Sequence, residues 1–202
     1  MSAEPIDTLT LPDRQLWTLE DLVSLPDDGH RYEIVDGSLL MSPAPSKRHQ
    51  AAADRLANCL RDAAPPGIEV ATAVAVDLGV DVAAQLGVQV PVPDIVVAGD
   101  DVYWDGGHGL AATDLLLAVE VASPGSSRDR ILKPALFARA GIPAYWRVEL
   151  DGPGTPCVVV HALDGAVYRE VVTVRAAETV TVDVPFAVEL RPAELVGPRR
   201  RD

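Results

Sequence analysis

The chain has 202 residues, 48% of them hydrophobic and 23% charged, with 17 Lys+Arg against 30 Asp+Glu and a net charge of −13. This length and composition sustain a hydrophobic core without staples and exclude disorder over most of the chain. The acidic balance argues against a nonspecific nucleic-acid coat, which needs positive charge to release counterions. It leaves room for a local acidic site that recruits cations. Cys59 and Cys157 are too few for a disulfide framework or a four-Cys zinc site and fit a reducing compartment. The first residues lack the basic start and apolar run of a signal peptide, and no 18-residue apolar stretch occurs. The expectation is a cytoplasmic protein with no membrane partner.

In chain order, residues 1–15 read as a flexible segment, residues 16–196 as a single domain, and 197–202 as a flexible Arg-rich tail. Thr18 caps a short helix beginning at Leu19. Arg31–Val35 and Ser38–Met41 flank Asp36-Gly37, a two-residue hairpin signal. Ser46 caps a helix to about Ala63, with Ala52, Leu56, Cys59 and Leu60 on one stripe. Ile68–Asp77 alternates and is rich in Val, which predicts a strand. Residues 79–93 read as a connection. Strands are predicted at Asp94–Ala98, Leu115–Ala122 and Ala144–Leu150, with a helix over 128–140. Three more strands follow at Val158–Leu163, Val167–Val174 and Thr179–Val184. The pattern is α+β, a curved mixed sheet with helices on one side. Tyr145-Trp146 is expected to pack the core or a subunit interface, with base stacking the minor alternative.

Glu120 interrupts an apolar run, with only alanines (Ala118, Ala122) as same-face neighbours. A buried carboxylate costs several kcal/mol unless it is paired or bound to a cation. A buried ion pair or a wet sheet edge explains it as well as a functional site does. Asp94 repeats the pattern at the start of the preceding strand, where an Asp bonding its own backbone is common. Adjacent strands lie about 4.8 Å apart, so two facing carboxylates are placed to share one divalent cation. All-oxygen ligands suit Mg²⁺ or Mn²⁺ rather than Zn²⁺.

The strings Tyr32-Glu33-Ile34-Val35-Asp36-Gly37, Pro43 to His49, Pro93-Asp94-Ile95-Val96-Val97, Glu120 to Pro124, and Asp129…Lys133…Ala140-Gly141-Ile142-Pro143-Ala144-Tyr145-Trp146 stand in the order of a known family. The chain resembles the Uma2 family of restriction-endonuclease-like proteins over roughly residues 17–195. That resemblance implies a PD-(D/E)XK nuclease core with extra C-terminal strands, and a metal-dependent endonuclease acting on DNA. Asp94 matches the first acid, Glu120 the second, and Glu33 an additional metal-site carboxylate. The usual lysine two residues after the second acid is replaced by Ala122, and the resemblance assigns its part to Lys133. A long side chain from the neighbouring helix reaches the same cavity, there to orient water or stabilise developing charge on phosphate. Without the resemblance, Lys133 reads as a surface partner of Asp129. Since it precedes Pro134, the helix is expected to start near that proline.

His49, Gln50 and Asp129 are candidate edge residues of the site. His49 reads equally as a solvated first-turn histidine. Lys47, Arg48, Arg55, Arg128 and Arg130 are candidate phosphate contacts. Two readings compete with the nuclease: a non-catalytic nuclease-fold binding or dimerisation module, and a regulatory homodimer with buried acidic pairs. Edge strands in the C-terminal half invite a two-fold dimer.

Overall fold

The structure, a computed structural model, describes residues 16–25, 30–42, 44–87, 89–105, 107, 109–123 and 128–197, with residues 128 and 129 described in their backbone alone. The expected flexible segment 1–15, and all of the expected tail but Gly197, lie outside the described residues. The elements are α1 (Leu19–Val23), β1 (Arg31–Val35), β2 (Ser38–Ser42), α2 (Lys47–Ala63), β3 (Ile68–Thr72), β4 (Val76–Asp77), α3 (Val80–Leu86), β5 (Ile95–Gly99), α4 (Asp100–Tyr103), β6 (Leu110–Ala111), β7 (Leu115–Ala122), a π-helical turn (Arg128–Leu132), α5 (Lys133–Arg139), β8 (Ala144–Glu149), β9 (Cys157–Asp164), β10 (Val167–Arg175), β11 (Val180–Val182) and β12 (Val188–Leu190). A six-stranded mixed sheet runs in the order β10-β9-β8-β7-β5-β3. Only β7 and β8 pair in parallel within it. The π-helical turn and α5 lie in the connection that such a parallel pair requires.

Local chemistry accounts for the elements that carry the site. Asp36 and Gly37 both adopt positive φ (50° and 68°), the requirement of a tight hairpin turn, and β1 pairs with β2 around them. The Ser46 side chain accepts the His49 N–H and starts α2. Helix α2 buries Ala52, Ala53, Leu56, Ala57 and Leu60 against Leu117, Val119 and Val121 of β7. The other sheet face, with Ala118 and Tyr145, receives Leu136 and Phe137 of α5. Helices therefore cover both faces, not one, because each face of these central strands is apolar and both need cover. Trp146 and Tyr145 are fully buried on opposite faces.

Four further stretches differ from expectation. The strand foreseen over 68–77 breaks at Ala73, whose φ of 57° turns the chain off the sheet; its N–H donates to the Asp94 carbonyl. The connection 79–93 contains α3, and the C-terminal region contains β12, paired with β11. The helix foreseen over 128–140 divides, so that Lys133 opens α5 with Pro134 beside it in the first turn. Proline's lack of an N–H costs nothing there. No helix among the described residues is long and apolar enough to cross a membrane.

Candidate functional site

The site forms where β7 ends and β5 begins. Ile95, the first residue of β5, pairs with Val119. Asp94, immediately before it, therefore arrives beside Glu120 and Val121. Its Oδ2 accepts the Val121 N–H at 2.8 Å, so it bonds a neighbouring strand and not its own turn. The Arg31 Nη1 lies 2.9 Å from Oδ1, and His49 Nε2 lies 3.2 Å from Oδ2. Burial pushes the Asp94 carboxyl up, but His49, the Val121 N–H and Arg31 together hold it below the usual carboxylate range.

Glu120 points to the α5 side of the sheet, as its alternation with Val119 and Val121 requires. Lys133 Nζ lies 2.8 Å from Glu120 Oε1 and 2.9 Å from Glu33 Oε1. Glu33 is further held by the Val92 N–H on Oε1 at 2.9 Å and by the Ser42 hydroxyl on Oε2 at 3.3 Å. All four charged groups are buried: Glu33 is 2% exposed, Asp94 4%, Glu120 3% and Lys133 6%. Burial, with Asp94 and Glu33 close by, pushes the Glu120 carboxyl well up, although Lys133 opposes this. Burial alone lowers the Lys133 ammonium, but Glu120 and Glu33 outweigh it and drive it upward. Lys133 is thus a cation at neutral pH, and Glu120 takes up a proton more readily than an ordinary carboxyl.

His49 sits at the first turn of α2. Burial lowers it, yet the hydrogen bond and charge of Asp94 leave it raised. Its Nδ1 is buried without a hydrogen-bond partner, as is Glu120 Oε1, which has ion-pair contact but no hydrogen bond of regular geometry.

Asp94, Glu120, Lys133, Glu33 and His49 are thus brought together. Gln50 is not among them, because its amide donates to Asp54 one turn along α2. Lys47 is exposed at the start of α2. Arg48 pairs with Asp151 and donates to the Leu150 carbonyl. Arg55 donates to the Glu194 and Gly197 carbonyls. Arg130 grips Glu149 with two nitrogens and donates to the Ser123 carbonyl. The side chains of Arg128 and Asp129 lie outside the described residues. Arg31 is the member that the sequence reading missed. Its only signal is its place two residues before Glu33, which puts both on one face of β1.

A mixed sheet clasped by helices, with acids at a strand end and a lysine from the crossing helix, defines a nuclease-like fold. The same fold occurs in the crystal structure of a putative nuclease belonging to DUF820 from Anabaena variabilis ATCC 29413, with TM-score 0.64 and 19% identity over 89% of this chain and 97% of that one. The family model Uma2, described as "putative restriction endonuclease", matches residues 19–193, and the chain belongs to that family. No curated protein matches it.

Proposed function

We propose that the chain is a metal-dependent endonuclease that hydrolyses phosphodiester bonds in DNA, with Asp94, Glu120 and Lys133 as its catalytic residues. The observation that carries this reading is the buried ammonium of Lys133 set between Glu33 and Glu120, beside Asp94. The donor set suits a hard divalent cation, since it consists of carboxylate oxygens. Among the described residues no three His, Cys, Asp or Glu side chains form a ligating cluster. Mg²⁺ or Mn²⁺ bound by Asp94 and Glu120, with Glu33 as a third candidate, fits a site completed by water and phosphate, the habit of Mg²⁺. When bound, such an ion supplies an activated water and charge stabilisation at the phosphate.

The protein's own groups have separable tasks. Glu33 holds Lys133 in place. Lys133 presents N–H donors toward a reacting phosphate in a setting where water is excluded. Arg31 and His49 orient Asp94. His49, charged when protonated, is also placed to exchange a proton beside Asp94. We read the protein as a homodimer built through the sheet edge at β10, which exposes Val167 and Val171. Light scattering of the purified chain measures that mass directly.

The alternative, a non-catalytic nuclease-fold binding or dimerisation module, has one observation in its favour: both Asp94 oxygens already have protein partners. A plasmid-nicking assay with Mg²⁺ or Mn²⁺ separates the two. Catalysis requires nicking by the wild type and none by Asp94→Ala. Absence of nicking by wild type with either ion over a wide concentration range refutes the nuclease.

A further inference from the structure

A protein of charge −13 that handles nucleic acid needs one face where a phosphate strand is welcome. A cleft of about 510 Å³ between α5 and β8–β10 has the required character. Its walls include Arg130, Arg139, Arg147 and His161, and among the described residues no carboxylate lines it, although Glu149 pairs with Arg130 and Arg147. Arg147 is the register partner of Glu120 across the parallel β7–β8 pair, so it lies on the α5 side of the sheet with Glu120. Pro134, the residue after Lys133, forms part of the wall. The cleft therefore lies on the same sheet face as Glu120 and Lys133.

The donors in this cleft are only partly used. Glu149 takes two nitrogens of Arg130 but only the Nε of Arg147, leaving the outer nitrogens of Arg147 without a hydrogen-bond partner among the described residues. Arg139 commits one nitrogen to Gln85. His161 turns Nδ1 to the Tyr145 carbonyl at 3.2 Å; since a carbonyl only accepts, Nδ1 carries the proton. Burial and then the Arg147 charge lower the His161 pKa, against the opposing charge of Glu170.

We propose that this cleft is the phosphate track of the site, holding successive phosphates of the nucleic-acid strand that leads away from Glu120 and Lys133, with Arg147 and Arg139 as the principal contacts. This proposal rests on the nuclease reading for its direction, and on the cleft alone for its charge. Arg48 and Arg55 are poorer candidates, because they are engaged elsewhere by a carboxylate or by backbone carbonyls.

The test is the salt dependence of affinity for a fluorescent 20-base-pair duplex, read by anisotropy in EDTA. Each lost phosphate contact lowers the magnitude of the log K against log salt slope by about 0.9. Arg147→Gln and Arg139→Ala are each expected to do so. Arg191→Ala, which removes the same charge from a residue paired to Glu189 and Glu194, is expected to leave the slope alone. Unchanged slopes in the cleft variants, an equal drop in Arg191→Ala, or no duplex binding by wild type would overturn the track. Pyrophosphate titrated against the bound duplex distinguishes a strand from a small phosphate. Tight pyrophosphate binding that the duplex cannot displace overturns the strand assignment. If wild type nicks plasmid while the cleft variants keep its slope, the track alone falls. If the slopes drop and no protein nicks, catalysis falls and the track stands.

Discussion

Lys133→Met should destabilise the protein severely, and Glu120→Gln should hardly do so, although each removes one half of the same ion pair. At an effective dielectric near 20, contacts of 2.8 and 2.9 Å each carry about 6 kcal/mol of Coulomb attraction. The two carboxylate oxygens stand at most about 5.7 Å apart, so they repel by at least about 3 kcal/mol once the ammonium is gone. Desolvation offsets much of the attraction, and stranding buried partners typically costs about 3–5 kcal/mol. Protonation sets a ceiling: neutralising a carboxyl of ordinary pKa at pH 7 costs about 4 kcal/mol, and at pH 5 about 1 kcal/mol. The stranded carboxyl's pKa rises in the folded state, so the penalty is slight near pH 4 and grows as pH rises from there. Urea unfolding should therefore show a loss of about 3–4 kcal/mol for Lys133→Met at pH 7 that shrinks to about 1 kcal/mol at pH 5. In Glu120→Gln, Lys133 keeps Glu33, and a carboxyl that burial had already pushed upward is gone. Its stability should stay within about 1 kcal/mol of wild type. A Lys133→Met loss equal at both pH values would refute the reasoning and make the lysine stem's packing the cause. Equal losses in the two variants would refute the shared role of Glu33.

Asp94→Asn should cost about 2–4 kcal/mol at pH 7, since it weakens charge-assisted bonds from Arg31 and His49. The depressed Asp94 carboxyl contributes stability present above about pH 4 and lost as pH falls through its folded value, so acid unfolding curves of variant and wild type should converge at low pH. His161→Gln should flatten the stability profile between pH 7 and 5. The wild-type fold disfavours the charged imidazole, through burial first and then Arg147, and loses stability as pH falls from about 6.5 through the lowered value. Leu56→Ala, at a position 1% exposed on the buried face of α2, should cost about 2–5 kcal/mol in thermal or urea unfolding. A loss near zero there would mean that the α2 face repacks.

The sequence is most readable where the cause is local. Asp36-Gly37 announces its turn because few pairs adopt positive φ twice, and Ser46 announces α2 because a hydroxyl at that place satisfies an otherwise unpaired N–H. Glu120 stands out because a carboxylate between alanines in an apolar strand demands a cation. What sequence does not display is partnership across distance. Arg48 and Arg130 look like free cations in the chain, yet Asp151 and Glu149, far along it, claim them. Arg31 looks like an ordinary strand residue until the fold brings Asp94 to it. Ala73 carries no sign of the left-handed backbone that ends β3, because the stabilising acceptor is the carbonyl of Asp94, 21 residues on.

The hairpin explains why these acids tolerate burial in so acidic a chain. From one face of β1 it sends Arg31 to Asp94 and Glu33 to Lys133, so a single strand supplies a cation to one half of the cluster and an anion to the other. Each half is thereby nearly compensated, and the hairpin itself is tied to the connection before β5 by the Ile34–Val90 backbone pair. Compensation of this kind sets the terms on which any divalent cation enters. It must displace, or share oxygens with, Arg31 and Lys133, which already supply positive charge there. Affinity for the ion is then the difference between two cationic arrangements of the same carboxylates. Substitutions that weaken Arg31 or Lys133 therefore act on the fold and on the site through the same oxygens.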